Sequence, residues 1–191
     1  MVDMKRLVLF ILLFVAALNI HAQTKATIAD SLKLESAKKQ LTIFFSFLKS
    51  ANMDSIFYGR PITILAPDDK AFDKLPVEML DSLLKQTDTI DFAKQIALKK
   101  ILFAHIIPDR FSSKDVANLI HKNNGQRVFF SLGDVELTAK INTNRNIVFT
   151  DKGGNEYIVK QFDIVDGDAI IFVVSSVILP DKNKPIKIMG R

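Results

Sequence analysis

Apolar residues in the first half of the chain recur at helical spacing. One run has them three or four positions apart, at Leu34, Ala37, Leu41, Phe44, Phe45 and Leu48. This run predicts one helix with a single buried face. Similar spacing predicts helices from Val77 to Leu84 and from Phe92 to His105. Between the first of these helices and the one that begins at Val77, the run from Pro61 to Pro67 is rich in β-prone residues and bounded by prolines, so it predicts a short strand.

After Pro108 the pattern changes from the helical period to that of strands. Runs of β-prone residues occupy Val128–Leu132, Val135–Ala139, Asn146–Thr150, Tyr157–Lys160 and Ala169–Val174, and the last run continues to Pro180. Turn formers separate them, among them Gly133-Asp134 and Gly153-Gly154. Helices first and short strands later predict an α+β fold rather than alternating α/β. With no internal repeat or linker, residues 23–180 are expected to form one domain.

The N-terminus has the layout of a secretory signal. Lys5 and Arg6 precede an unbroken apolar run from Leu7 to Leu18, and the small residue Ala22 follows. The run is shorter than the roughly 20 residues of a membrane-spanning helix. Residues 1–22 are therefore predicted to be a signal peptide, and the protein to be exported with no membrane span after cleavage. No cysteine follows the cut, so a lipoprotein anchor is not expected.

The composition narrows the chemistry available to the exported chain. It has no cysteine, which removes disulfides, thiol catalysis and Cys-ligated metals. It has three histidines, and His21 would leave with the signal, so a His-rich zinc site is not expected. We therefore predict no metal, no cofactor and no catalytic residue.

The charge is modest and does not point to nucleic acid. The chain has 26 basic and 21 acidic residues, a net charge of +5, with no basic stripe interleaved with aromatics. Residues 181–191 form a short basic tail. Its cations, together with Lys99 and Lys100, are expected to be solvated or, in a sharper alternative, to contact an anionic envelope or an acidic polysaccharide.

Three segments, in order, carry a resemblance to a known family. Thr63–Phe72 reads TILAPDDKAF and resembles the first signature of the fasciclin (FAS1) domain family. Ile101–Pro108 is similar to the family's central histidine segment, and Asp168–Pro180 resembles its second signature. The resemblance covers about residues 27–180. The motif positions expected to be structural are Thr63, Ala66, Pro67, Ala71, Phe72, His105, Val177, Leu179 and Pro180.

The resemblance implies an antiparallel β-sandwich or wedge flanked by several helices. It also implies a non-catalytic module for adhesion, periplasmic or at the cell surface, whose partner is a cell-envelope protein or a polysaccharide. Two alternatives stay open: a small-ligand-binding or enzymatic module with an apolar pocket near His105, and a purely structural periplasmic scaffold.

The candidate binding residues also come from the resemblance. In animal members of the family, integrin contacts are ascribed to a Tyr-His region and an Asp-Ile segment. The matching positions are His105, Asp163 and Ile164, with Ala104 in place of the tyrosine. Other departures are Asp68 for a common threonine, Phe172 for a usual histidine and Ser175 for a usual aspartate.

Several local features have a structural and a functional interpretation. His105 fits a buried histidine whose ring bonds a backbone group, or a ligand contact. Asp163, Asp166 and Asp168 could suggest calcium but lack the ligand order of an EF-hand. Asp68 is expected to cap a helix. The pairs Phe57-Tyr58 and Phe129-Phe130 put an aromatic on each face of the chain, so one ring of each could be exposed and stack on a sugar.

Overall fold

Helices lead the chain and strands dominate its second half in the computed structural model, which describes residues 28–84 and 92–180. The helices are α1 (Ile28–Lys38), α2 (Thr42–Ser50), α3 (Asp69–Phe72), α4 (Val77–Leu84), α5 (Phe92–Ala104) and α6 (Ser113–Lys122). The strands are β1 (Ile62–Pro67), β2 (Ile106–Pro108), β3 (Gln126–Phe130), β4 (Glu136–Ile141), β5 (Ile147–Thr150), β6 (Glu156–Asp166) and β7 (Ala169–Val174). A 3-10 turn spans Asp54–Phe57. The α+β prediction is confirmed.

Seven strands form one sheet in the order β2-β1-β7-β6-β5-β4-β3. Neighbouring strands are antiparallel except β1 and β7, which run parallel with Ile62 opposite Ala169. The sheet curls until its two edges meet, since the Leu132 amide donates to the Ile106 carbonyl at 2.7 Å. The predicted wedge flanked by helices is thus observed, and the parallel pair is an addition to it.

The sheet separates two apolar cores. On β7, Ile171 and Val173 face the helices of the first core, whereas Ile170 and Phe172 face the second core inside the curled sheet. A strand buried on both faces must be apolar throughout, which explains why β1 and β7 are continuous rather than alternating apolar runs. This pair of strands therefore contributes side chains to both cores.

The single helix predicted from Leu34 to Leu48 is wrong, because the chain breaks between α1 and α2. The break frees two backbone groups, and both bond to Asp69: its amide donates to the Gln40 carbonyl at 2.8 Å, and its carboxylate accepts the Ile43 amide at 2.9 Å. Ala37, Leu41, Phe44 and Leu48 still pack in the first core. The helical spacing of apolar residues therefore continues across the break, and Asp69, which is distant in sequence, stabilises that break.

The strand predictions are confirmed with shifted ends, and two elements were not predicted. β2 and α6 were both missed. Helix α6 begins with a capping box, in which the Ser112 hydroxyl accepts the Asp115 amide and the Asp115 carboxylate accepts the Ser112 amide. Val116 and Ile120 then pack in the second core. None of the helices in the described ranges is long and apolar enough to span a membrane.

Candidate functional site

The first signature segment begins on β1, between β2 and β7 in the sheet. Thr63, on β1, is buried, and its hydroxyl donates to the Asp109 carbonyl at 2.9 Å and accepts the Phe111 amide at 2.8 Å. These two bonds hold the loop that follows β2, where Asp109 adopts a φ of 74°. Thr63 therefore fixes a loop from the interior and offers no group to a partner.

The rest of this segment builds the start of a helix. Ala66 and Pro67 end β1 opposite Val173 and Val174, and Ala71 and Phe72 are buried in α3. The Phe72 ring lies edge-on to Phe47, with ring centroids 5.6 Å apart. All four residues are buried, so they support the fold rather than a surface.

Asp68 caps α3, as predicted from its position. Its carboxylate accepts the Ala71 amide at 3.0 Å, and its other oxygen pairs with Lys160 of β6. The Asp68 amide donates to the Val174 carbonyl. This places Asp68 beside Ser175, whose hydroxyl accepts the Ile158 amide at 3.0 Å. Two of the positions that depart from the family pattern are thus neighbours, with Lys160 as the counterion of the carboxylate.

His105 joins the helical layer to the second signature segment. It is 1% exposed, and its Nε2 accepts the Ile178 amide at 2.9 Å. Because Nε2 accepts, the ring proton is on Nδ1, which donates to the Ile101 carbonyl at 2.8 Å. Burial lowers the pKa of His105 to about 4, and the bond to Ile101 only partly opposes this effect. The ring also packs on Phe44, so it is neutral and fully bonded at neutral pH.

The end of the second signature segment contains Ile178, whose amide bonds this histidine. Val177 is buried in the first core and Ile178 in the second, while Leu179 is exposed and Pro180 half-buried. Ala104, before the histidine, is fully buried, and the backbone of Gly133 lies against it. A Cβ on Gly133 would come within 2.7 Å of the Ala104 nitrogen.

Asp163 and Ile164 lie in an irregular part of β6 and are turned inward. The register of β6 against β7 shifts on either side of Gln161, and Asp163 has a φ of 58°. The Asp163 carboxylate accepts the Ser113 amide at 2.7 Å and also bonds the Ser113 hydroxyl, so it secures the start of α6. Ile164 is fully buried. Their binding role, like that of His105, stays a prediction, and the geometry gives each an internal bond or contact.

The three aspartates considered for calcium lie in different environments. Asp163 bonds Ser113, the Asp168 carboxylate accepts the Gly59 amide at 2.7 Å, and burial raises the pKa of Asp166. Within the described ranges, no group of three His, Cys, Asp or Glu side chains could hold a metal ion.

Aromatic rings and cations supply the exposed features. Phe129 is buried, whereas Phe130 beside it is 57% exposed; Tyr58 is 64% exposed. Lys99 and Lys100 are half-buried on α5, and the predicted signal and basic tail lie outside the described residues. Sequence reasoning missed a group of exposed cations at one end of the β3–β5 strands: Lys122, Arg127, Lys140 and Arg145. Lys140 and Arg145 flank the turn formers at 142–144, and this position was the available signal for those two cations.

Comparison with known proteins gives a family and a fold. The model of the fasciclin domain matches residues 39–180. Among 16 matching chains of solved structures is one titled "Novel Fold Revealed by the Structure of a FAS1 Domain Pair from the Insect Cell Adhesion Molecule Fasciclin I". It shares 20% identity and a TM-score of 0.50, over 72% of this chain and 44% of that one.

This chain therefore spans less than half of the insect domain pair, and the likeness at this identity concerns the fold. A search of the curated proteins gives no match. The family match covers most of the chain, including all three segments that carried the resemblance and the His105 bond that joins two of them. The chain belongs to the fasciclin domain family.

Proposed function

We propose that this protein is a non-catalytic interaction domain, exported from the cell, that contacts a cell-envelope protein or polysaccharide. Membership of the fasciclin family supports an adhesion-type role. The insect structure to which the chain is similar is titled as part of a cell adhesion molecule, which is consistent with this proposal.

The exposed ring of Phe130 is the observation that carries the proposal. On β3, Phe129 packs against Phe111 and Phe149, with ring centroids 5.3 and 5.9 Å away, so the strand is held firmly from inside. Alternation then turns Val128 and Phe130 outward, and both are exposed. A fixed, exposed aromatic face can stack on a sugar ring or anchor a protein contact.

The bonding of His105 supports a non-catalytic role. A general base needs a free nitrogen within reach of a substrate and a pKa near the working pH. Both ring nitrogens of His105 bond backbone groups, and its pKa is about 4. The alternative of a small-ligand pocket at this residue would require breaking two internal hydrogen bonds.

The test is retention of the protein on cell-envelope fractions. We expect saturable retention of the wild type and a clear loss for Phe130→Ser. Tyr58→Ser, which removes an exposed ring elsewhere, serves as the matched control. Circular dichroism must show that both variants stay folded. Equal retention of the two variants would remove Phe130 from the contact, and no retention of the wild type would contradict the proposed function.

Treatment of the envelope identifies the class of partner. Periodate, which cleaves vicinal diols, should abolish retention if the partner is a polysaccharide. Protease digestion should abolish it if the partner is a protein. Export has its own test. The mass of the protein recovered outside the cytoplasm should be that of a chain that begins at Gln23. An intact N-terminus in the cytoplasm would contradict it.

A further inference from the structure

One end of the β3–β5 strands carries four exposed cations without anionic partners. We call it the basic end: Lys122 closes α6, Arg127 is the second residue of β3, Lys140 lies near the end of β4, and Arg145 is in the turn from β4 to β5. All four are exposed, and none forms a salt bridge with any residue in the ranges 28–84 and 92–180. The segments 116–133 and 137–150, which build this end, contain no Asp or Glu.

The opposite end of the same strands has the opposite charge. Asp134, Glu136, Asp151 and Glu156 lie in or beside its turns. The lysine there, Lys152, is paired with Glu136 at 2.8 Å. Charges are therefore sorted along the strands rather than mixed. Sorting of this kind gives a surface field that attracts an anionic partner to one end.

Arg145 occupies a backbone conformation that favours other residues. Among the residues that the structure describes, six that are not glycine have positive φ, and all except Arg145, at 62°, are Asn or Asp. The turn is already held by Asn142, whose side chain accepts the Asn146 amide at 2.9 Å. A bulky residue at positive φ is strained, and such strain points to use of its side chain. The chain thus has an arginine at position 145, where the turn alone would favour Asn or Gly.

Most of the exposed groups between the cations are neutral and polar, with Ile141, 37% exposed, as the apolar residue among them. Asn124, Gln126, Thr143 and Asn144 are exposed there, and their amides and hydroxyls can bond sugar hydroxyls. Protein–protein interfaces instead centre on aromatic and apolar residues. Resting on the proposed function, we propose that the basic end binds an acidic polysaccharide through Arg127, Lys140, Arg145 and Lys122.

The basic end is separate from the exposed ring of Phe130. Gln126 pairs with Lys140 at the basic end, whereas Phe130 pairs with Glu136 at the acidic end, four residues or about 13 Å farther along β3. The charge site and the aromatic contact that carries the proposed function can therefore be tested independently.

The experiment measures binding of the full-length protein to defined polymers by titration. The probes are polygalacturonate for carboxylates, dextran sulfate for sulfates, and neutral dextran. We expect binding to at least one anionic polymer, weakened by salt, and none to dextran. Each exposed ion pair contributes a few-fold, so Arg127→Gln with Arg145→Asn should weaken binding about tenfold.

Two variants control for net charge and for the turn. Lys49→Gln with Lys70→Gln removes the same charge from exposed positions in the helical layer and should leave binding unchanged. Arg145→Lys keeps the charge and should retain binding. Equal loss in the two double variants, or undiminished binding of Arg127→Gln with Arg145→Asn, would overturn the proposal.

Two further probes separate polysaccharide from other polyanions. Poly-L-glutamate and single-stranded DNA should bind more weakly than the acidic polysaccharide at equal charge, and equal or tighter binding of either would overturn the assignment. If the envelope retains the double variant fully but loses Phe130→Ser, the basic end fails while the proposed function stands. If the envelope retains no wild-type protein, the proposed function fails. The polymer titration still tests whether the basic end binds an acidic polysaccharide.

Discussion

The signature segments and the basic end differ in how their polar groups are satisfied. In the signature segments, Thr63, Asp68 and His105 are buried and each polar atom has a partner inside the molecule. Across the described residues, no buried side-chain nitrogen or oxygen lacks one. At the basic end, four cations face solvent without an ion pair to any residue in 28–84 or 92–180. The residues that identify the family therefore build the scaffold, and both proposed contacts, at Phe130 and at the basic end, lie outside the signatures.

The largest effect should come from a charge placed in the signature region. Ala66 is 1% exposed in the first core, so Ala66→Asp would bury a carboxylate without a partner. Such a change costs several kcal/mol, a large part of the roughly 5–15 kcal/mol that stabilise a domain. We expect no cooperative thermal transition by circular dichroism. Leu32→Asp, at a position 66% exposed, should melt like the wild type. Equal melting of both variants would contradict the burial of β1.

The next effect is a pH dependence from His105. Its pKa is about 4 in the folded protein and 6.5 when unfolded, so the unfolded chain binds the proton more readily. Stability is therefore complete above pH 6.5 and falls as the pH drops from 6.5 to 4, by about 3 kcal/mol at about 1.4 kcal/mol for each pKa unit. Urea unfolding at several pH values measures it.

A glutamine at this position gives the control. His105→Gln should be less stable at pH 7 and should lose most of the dependence between pH 4 and 6.5. Hydrogen bonds from Ser112 lower the pKa of Asp115 below its usual range, so Asp115 loses its contribution only at more acidic pH. A wild type whose stability is flat over this window would be incompatible with a buried neutral ring.

A smaller effect tests the approach of two backbones behind the histidine. Gly133→Ala would bring a Cβ within 2.7 Å of the Ala104 nitrogen, where backbone must move. We expect a loss of about 1–3 kcal/mol in the free energy of unfolding. Gly153→Ala meets only the ends of side chains, at 3.2 Å, and should be tolerated. If the two alanine variants are equally stable, the sheet edges do not close as described.

The sequence was most informative where one segment determines its own structure. Proline-bounded β1, the apolar run of β7 and the turns around glycine and asparagine depend on local chemistry, and each was predicted. Asn52, which follows α2, has a φ of 54°, a left-handed conformation that Asn tolerates at the end of a helix. Family resemblance then supplied the arrangement of these parts, including the wedge of strands.

Features set by distant partners could not be predicted in the same way. The break between α1 and α2 depends on Asp69, and the inward role of Asp163 depends on Ser113, which is 50 residues away. Likewise, the basic end exists because α6 and β4 end beside the starts of β3 and β5. The cations were visible in the sequence, but their common location follows only from the strand order.

The smallest effects on stability distinguish the cations of the basic end from one another. Arg145→Asn removes a bulky residue from positive φ, so we expect unchanged stability or a gain of up to about 1 kcal/mol. Lys122 lies in the last turn of α6, where a cation interacts favourably with the helix dipole, so Lys122→Gln should cost a few tenths of a kcal/mol. Chemical denaturation at low salt measures whether the free energy of unfolding rises or falls in each variant. A marked loss of stability for Arg145→Asn would mean that the arginine holds the turn, and its strained conformation would then have a structural cause rather than a role in recognition.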